Sequence, residues 1–459
     1  MKLIEYIQSI KDKKIAVIGI GVSNTPLVEL LLAHGCDVTA CDQSERGRLS
    51  AAAAALEAKG AKLRLGEDYL EGLDADIIFR TPGMRPDLPV LAEAVKRGAI
   101  LTSEMEVFFD VCPCRIIGVT GSDGKTTTTT IIAKLLEAEG CTVHLGGNIG
   151  TPLLTRADAM KQTDIAVLEL SSFQLMTMKK SPWIAVVTNL TPNHLDMHRH
   201  MEEYIEAKRN IMRYQSEAET LILNDDDDIT RGFADTARGN VRYFSRKHRV
   251  ENGTFQEGNT IYGAEGGSIT PLIETSRILL PGVHNIENYL AAFAAVRGLV
   301  SRASCDSVAG TFGGVPHRIE LVRTLRGVRY YNDSIASSPS RTIAGLRSFH
   351  EKVILIAGGK DKGIAFDELG PEVIEHVKIL VLTGVTAGKL RAAVENTPGY
   401  SGSPVIVEEP DFREAVLAAH RSAADGDIVL LSPACTSFDR FKNFEERGNT
   451  YKKIIRELE

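Results

Sequence analysis

Short apolar runs recur along the chain, and each is followed by a polar, glycine-bearing turn and a stretch with helical spacing. Lys14-Ile15-Ala16-Val17-Ile18, Asp37-Val38-Thr39-Ala40-Cys41-Asp42 and Asp74-Ala75-Asp76-Ile77-Ile78-Phe79 predict strands in the first hundred residues, with a helix over residues 27–33. Residues 116–120, 164–169 and 183–189 predict strands in a second block, and residues 329–334, 353–357, 379–384 and 428–433 in a third. Runs this continuous suit strands covered on both faces, as in a parallel α/β sheet. The exception is residues 245–280, where short polar segments with Gly263, Gly266 and Gly267 predict antiparallel β excursions. A second helix carries Tyr204, Ala207, Lys208 and Ile211, and its 3-4 spacing puts Tyr204 and Lys208 on one face. An Ala-rich helix opens after Pro281-Gly282-Val283-His284-Asn285.

The chemistry gathers where these strands end. Ile116-Ile117-Gly118-Val119-Thr120 runs into Gly121-Ser122-Asp123-Gly124-Lys125-Thr126-Thr127, and a helix-compatible segment with Leu135 and Leu136 follows. A glycine-bearing loop before a helix points successive N–H groups at one spot, to which the helix adds its positive end. Lys125 then reaches the β/γ-phosphates of a nucleotide and the Thr126 hydroxyl reaches Mg²⁺. The motif is tighter than the usual phosphate loop, because Val119 stands where its first glycine is expected. Glu169 closes an apolar run beside this loop, which suits a Mg²⁺ contact or a solvated helix cap. His194 ends another run, in Thr191-Pro192-Asn193-His194-Leu195-Asp196, and suits a metal or phosphate role or a bond to its own loop. The acidic run Asn224-Asp225-Asp226-Asp227-Asp228 lacks the glycine and distal Glu of a calcium loop and reads as a solvated face.

The first block opens as a dinucleotide-type βαβ unit, with Gly19-Ile20-Gly21 and an acid, Asp42, about 20 residues on. Asn24 occupies the place of the third glycine. These residues alone leave open an NAD-dependent oxidoreductase, but that reading gives the phosphate loop no use. An ATP-driven switch uses the loop and differs in releasing no joined product.

Composition narrows the class. The 459 residues suit about three domains. Hydrophobic content of 43% and charged content of 25% are those of a globular chain with several cores. A formal charge of −7 argues against general nucleic-acid binding. The seven cysteines are odd in number and form no CxxC pair, which fits a reduced cytosolic compartment with most thiols buried. The opening Met1-Lys2-Leu3-Ile4-Glu5-Tyr6 lacks the apolar core of a signal peptide, and no apolar run is long enough to span a bilayer.

Taken in order, Thr120–Thr127, Glu169-Leu170-Ser171-Ser172-Phe173-Gln174, Asn193-His194-Leu195-Asp196, Gly282-Val283-His284-Asn285, Pro316-His317-Arg318 and Ser432-Pro433-Ala434-Cys435 resemble the Mur ligases. Within that family, Ser437 and the Lys442-Asn443-Phe444-Glu445-Glu446-Arg447-Gly448 tail are similar to the branch that adds D-glutamate to UDP-N-acetylmuramoyl-L-alanine. The resemblance implies three α/β domains. A Rossmann-like domain over residues 1–103 takes the UDP end of the substrate, a phosphate-loop ATPase domain spans 104–314, and a Rossmann-like domain over 315–459 takes the amino acid. It implies ATP-dependent amide formation through an acyl phosphate, with two Mg²⁺ ions, in a cytoplasmic monomer.

Carried over residue by residue, Gly121, Ser122, Asp123, Gly124, Lys125, Thr126 and Thr127 hold the phosphates. Asn285 and Asn288 hold the adenosine, and Arg318 and Asp333 also reach ATP. Thr126 and Glu169 hold one Mg²⁺; His194 and a carbamylated Lys208 serve the second. Ser23, Asp42, Gln43, Thr81, Pro82 and Gly83 face the uridine diphosphate, and Asn148 steadies the substrate. Lys362, Ser437 and the backbone at Phe444 bind the amino acid. One departure stands out: the D-glutamate branch commonly places Lys after Asn332-Asp333-Ser334, and this chain has Ile335, followed by Ala336-Ser337-Ser338-Pro339-Ser340-Arg341. Ser337, Ser338 or Arg341 then stands in for the lysine. The alternative is a family member, such as a folylpolyglutamate-type ligase, that adds another amino acid.

Overall fold

The expected strands assemble into three sheets in a computed structural model that describes residues 1–191, 198–361 and 363–459. His194 and Lys362 lie outside the described residues. The chain divides into two compact units: residues 1–275 with 287–308, and residues 276–286 with 309–459.

The first unit holds two sheets. One comprises β1 (Lys14–Ile18), β2 (Asp37–Asp42), β3 (Lys62–Leu65), β4 (Ile77–Phe79) and β5 (Ile100–Thr102), all parallel in the order β3-β2-β1-β4-β5. The order reverses beside β1, which opens a crevice at the carboxyl ends of β1 and β4. β4 is shorter than its apolar run suggested, because Asp74 and Asp76 serve its entrance: the Lys14 N–H donates to Asp76 Oδ2 at 2.8 Å and its ammonium pairs with Asp74. The helix after β1 spans Asn24–Ala33, beginning three residues earlier than the spacing predicted. Its start is pinned by Asn24, whose buried amide donates to Ile18 O at 3.0 Å. A side-chain bond thus does what the third glycine of a dinucleotide motif does by close packing.

The second sheet comprises β6 (Arg115–Thr120), β7 (Val143–Gly147), β8 (Ile165–Glu169), β9 (Ile184–Val187), β10 (Thr220–Asn224), β11 (Asn240–Ser245), β12 (Gly253–Glu257), β13 (Thr260–Glu265) and β14 (Ser268–Glu274). Its order is β14-β13-β12-β11-β10-β9-β6-β8-β7, parallel from β7 through β12 and antiparallel over the last two pairs. The predicted excursions over 245–280 are those antiparallel strands. β6 lies inside the sheet, with Ile117 and Val119 wholly buried, so the loop that follows it is held between β8 and β9. The helix Lys125–Ala138 packs Ile131, Ile132, Leu135 and Leu136 onto that sheet, and the ordered loop rests on this contact.

The acidic run corrects the sequence reading, since it is a bracket rather than a solvated face. Asp227 caps the helix Asp228–Arg231 and accepts from the Leu190 N–H at 2.8 Å. Asp226 accepts from Ser245 Oγ at 2.6 Å and from the Arg246 N–H at 2.8 Å, tying the ends of β9, β10 and β11 together. A calcium loop turns its carboxylates toward a cation, while these accept from N–H and hydroxyl donors.

The second unit carries β15 (Glu320–Leu325), β16 (Val328–Asn332), β17 (Val353–Gly358), β18 (Val377–Thr383), β19 (Val405–Glu408) and β20 (Ile428–Leu431), in the order β15-β16-β20-β17-β18-β19. Within this sheet only the β15–β16 pair is antiparallel among the described residues. Helices cover both faces, and Ile354, Leu355, Ile356 and Leu430 are wholly buried, as continuous apolar runs require. Five of the seven cysteines are buried.

Candidate active site

The phosphate loop takes its shape from two glycines and three side chains outside it. Gly121 has φ +151° and Gly124 φ +76°, and a Cβ at either would lie 1.9 Å from Thr188 Oγ1 or 2.3 Å from Asn288 Oδ1. Asn189 accepts from the Asp123 N–H at 2.9 Å, Thr188 Oγ1 donates to Asp123 O at 2.6 Å, and Ser122 Oγ meets Tyr204 Oη at 2.9 Å. Gly124 is the N-cap of the helix Lys125–Ala138, so the first-turn amides and the positive helix end converge on the loop. Lys125 Nζ donates to Gly121 O at 3.0 Å and Ser122 O at 2.8 Å. Thr127 is half-buried in the same first turn.

Beside the loop, Thr126 Oγ1 donates to Glu169 Oε2 at 2.6 Å, and Asn148 Nδ2 donates to Glu169 Oε1 at 2.8 Å. The carboxylate is buried at 2% exposure, which a solvated helix cap is not. Asn148 is itself fixed by its N–H to Glu169 O at 2.8 Å. No group of three or more His, Cys, Asp or Glu converges on a common point among the described residues. A hydroxyl and a carboxylate beside a phosphate loop fit Mg²⁺, which keeps much of its shell for water and phosphate oxygens.

Lys208 lies in the helix Met201–Arg213, at 2% exposure. Its Nζ donates to Gly121 O at 2.7 Å and Thr120 Oγ1 at 3.3 Å, and stands 4.8 Å from the centre of the Tyr204 ring. Tyr204 and Lys208 thus share a face, as the spacing predicted. Burial, followed by the neighbouring Lys125 charge, drives the Lys208 ammonium well below the usual lysine range. Asn288 joins the group through Thr128 Oγ1, which donates to its Oδ1 at 3.2 Å. The loop, Asn148, Glu169, Lys208 and Asn288 are therefore brought together in one unit.

In the same unit, the β1 and β4 ends carry the residues expected to face a uridine nucleotide. Asp42 Oδ2 accepts from the Ile20 N–H and Oδ1 from the Ser44 N–H, each at 2.8 Å, so its carboxylate shapes the glycine turn. Ser23 sits at the N-cap of its helix without a side-chain cap bond, and Gln43 is exposed. Thr81 packs against Gly19, and the half-buried Thr81 and Pro82 lead to exposed Gly83. This turn is held by Arg80, a residue the sequence reading passed over. An arginine ending an otherwise apolar strand was the available signal.

The second unit gathers its own set. His317 and Ile319 have φ +66° and +42°, a conformation that is strained for a β-branched residue, and they flank exposed Arg318. Asp333 is buried and accepts from Ser432 Oγ at 2.8 Å and the Ile319 N–H at 3.3 Å. Asn285, in the first turn of the helix Val283–Val296, donates to Pro281 O at 2.6 Å. Phe444 opens the helix Phe444–Glu457 and Asn443 caps it, so its N–H belongs to the unpaired first turn that favours a carboxylate. Ser437 is buried nearby in the chain. Arg447, which the sequence reading placed in the tail but without a role, binds Ser334 O at 2.8 Å, Ser334 Oγ at 3.0 Å and Cys435 O at 3.1 Å. Ser334 Oγ in turn donates to Phe444 O at 2.8 Å. Arg341 Nη1 donates to Ile335 O at 3.3 Å.

Burial pushes Asp333 up to about 7, against 3.8 for an exposed aspartate. Between those values the unfolded chain releases the proton that the folded chain retains, so stability falls as pH rises from 4 to 7 and then levels. Thermal midpoints of the wild type and Asp333→Asn should lie closest near pH 4 and separate toward pH 8, with the wild type losing more stability over that span, because the raised Glu104 and Glu106 carboxyls are common to both.

Residues 119–296 match the Mur ligase middle domain and residues 317–435 the Mur ligase glutamate ligase domain. The UDP-N-acetylmuramoylalanine–D-glutamate ligase of Acetivibrio thermocellus is 53% identical over 462 aligned residues, covering 100% of this chain and 99% of the relative. That of Ruminiclostridium cellulolyticum is 51% identical, with 100% and 99% covered. Among solved structures, UDP-N-acetylmuramate–alanine ligase from Thermotoga maritima aligns at TM-score 0.58 and 18% identity, covering 97% of this chain and 99% of that one. A UDP-N-acetylmuramoyl-L-alanyl-D-glutamate–2,6-diaminopimelate ligase aligns at TM-score 0.56 and 18% identity, covering 97% and 92%. At such identities the structural likeness speaks for the fold.

Proposed function

The chain belongs to the Mur ligase family, and from that premise we propose that it uses ATP to join D-glutamate to UDP-N-acetylmuramoyl-L-alanine. It thereby builds a cytoplasmic peptidoglycan precursor. No helix among the described residues is long and apolar enough to cross a membrane. The observation that carries the reading is the Asn148–Glu169–Thr126 chain beside the loop of Lys125, which supplies both phosphate donors and a hard oxygen site. We assign residues 1–103 to the UDP end of the substrate, 104–314 to ATP and 315–459 to the amino acid.

In this reading Lys125 leaves the Gly121 and Ser122 carbonyls to meet the β/γ-phosphates, while the loop amides cradle them. Thr126 and Glu169 would hold a Mg²⁺ ion, and His194 with carbamylated Lys208 a second; when bound, Mg²⁺ neutralises charge on the phosphoryl oxygens. The low proton affinity of Lys208 fits the modification, because only the neutral amine attacks CO₂. The L-alanyl carboxylate attacks the γ-phosphorus and the bond to ADP breaks, giving an acyl phosphate. The amine of D-glutamate attacks that carbonyl, loses a proton, and phosphate leaves. Charge builds first on phosphoryl oxygens and then on a tetrahedral oxyanion, so fixed donors matter more than a covalent nucleophile. Asn285, Asn288, Arg318 and Asp333 serve ATP. Ser23, Asp42, Gln43 and the Thr81-Pro82-Gly83 turn serve the uridine diphosphate.

The dicarboxylate needs cations and amides. Lys362 pairs with one carboxylate, and Ser437 with the Phe444 N–H receives the other. Arg341, with its forked donors, serves where Ile335 stands in place of a lysine. Phosphate release with UDP-N-acetylmuramoyl-L-alanine and a panel of amino acids tests the assignment. D-glutamate should be fastest, and faster turnover with another amino acid refutes it. Lys362→Ala should raise the apparent KM for D-glutamate about tenfold or more and leave that for ATP nearly unchanged.

A further inference from the structure

Arg80 has no place in the chemistry above, yet it is a guanidinium at 1% exposure without a carboxylate as direct partner among the described residues. Its Nη1 donates to Pro82 O at 3.1 Å and Met84 O at 2.9 Å, with a longer contact to Thr81 O at 3.4 Å. Its Nη2 donates to Phe173 O and to Thr177 Oγ1, each at 2.9 Å. One planar group therefore spans the Thr81-Pro82-Gly83 turn and the segment that begins just after Glu169. Thr177 Oγ1 passes the contact on to Glu106 Oε2 at 3.2 Å, and Glu106 also accepts from Ser103 Oγ at 2.9 Å. Burying a cation against neutral carbonyls is costly, and apolar packing would fasten two segments at lower cost. A rigid fork instead fixes distance and direction together.

We propose that Arg80 is a positioning residue for the uridine-nucleotide substrate. It sets the turn that receives the nucleotide at a fixed offset from the Glu169 end of the phosphate site. The L-alanyl carboxylate, the phosphoryl acceptor, is thereby presented to the γ-phosphate. The inference rests on the assignment of the turn to the uridine diphosphate in the proposed function. Local support agrees with it: the Ser171–Gln174 capping box anchors the short helix Ser172–Leu175, so the far acceptors of Arg80 do not drift.

The test is a comparison of steady-state constants for the full-length wild type, Arg80→Met, Arg80→Lys and Thr177→Val, with calorimetric binding of UDP-N-acetylmuramoyl-L-alanine in the absence of ATP. Arg80→Met should raise the KM and Kd for that nucleotide about tenfold or more, and leave the KM for ATP and D-glutamate within about twofold. Arg80→Lys keeps the charge and loses the fork, so it should fall between the two. Thr177→Val keeps the volume and removes one acceptor, so it should raise the same KM about threefold. It carries the test alone if the Arg80 variants fail to fold. A fall in kcat with all KM values unchanged would mark a merely structural arginine and overturn the proposal, as would an unchanged KM in Thr177→Val. A wild type that makes no amide from this nucleotide refutes the proposed function instead, so the two failures are told apart.

Discussion

Replacing Lys125 with alanine lowers turnover about a hundredfold or more and leaves the protein folded. The size follows from where the charge acts: a cation fixed beside the β/γ-phosphates stabilises charge that develops in the transition state, and such contacts are each worth several kcal/mol. Survival of the fold follows from how the loop is built. Lys125 Nζ donates to the Gly121 and Ser122 carbonyls, which are contacts within the loop itself. The loop is held independently by the Ser122 N–H to Asn189 O at 2.9 Å, by Thr188 Oγ1 to Asp123 O at 2.6 Å and by Ser122 Oγ to Tyr204. Turnover under saturating substrates and a thermal melt check both halves. Near-normal turnover in a folded Lys125→Ala protein refutes the phosphate-loop assignment.

The second large effect concerns Lys208. Lys208→Ala should remove nearly all metal-dependent activity, and a small carboxylic acid in the buffer should restore a measurable part of it by filling the vacated space. The physical basis is the buried amine: at 2% exposure, with Lys125 nearby, the ammonium is disfavoured and the neutral amine is available to CO₂. The product carbamate carries a negative charge, which the site receives better than a second cation. Wild type supplied with ¹³C-labelled CO₂ should show a carbamate carbon resonance that Lys208→Ala lacks. Identical spectra, or full activity in the variant, reject the modification. Intact mass is a poor substitute, because carbamates are lost in acid.

The strands legible as apolar runs are those buried on both faces, such as β1, β6, β8, β9, β17 and β20, while β3, β5, β15 and β19 are partly exposed and left no such run. The phosphate loop was legible because strand, glycines, Lys125 and hydroxyls must occur in one order. Less legible were the groups that hold these parts. Asp226 and Asp227 read as solvent-facing charge because their acceptors face backbone donors from strands far apart in sequence. Arg80 gave no motif, and Arg447 stood in the tail without a role, since a guanidinium that binds carbonyls needs no fixed spacing to them. Asn24 looked like a defect in a glycine motif and is a helix anchor. Local pattern thus named the elements and the phosphate chemistry, while long-range polar contacts had to be seen.

The central claim is that the L-alanyl carboxylate is activated by phosphoryl transfer before D-glutamate attacks. Turnover of UDP-N-acetylmuramoyl-L-alanine with both carboxylate oxygens replaced by ¹⁸O, together with ATP and D-glutamate, tests it most directly. The account predicts one ¹⁸O in each inorganic phosphate released and the other in the new amide; phosphate released without label, or released without an amide-linked product, contradicts it.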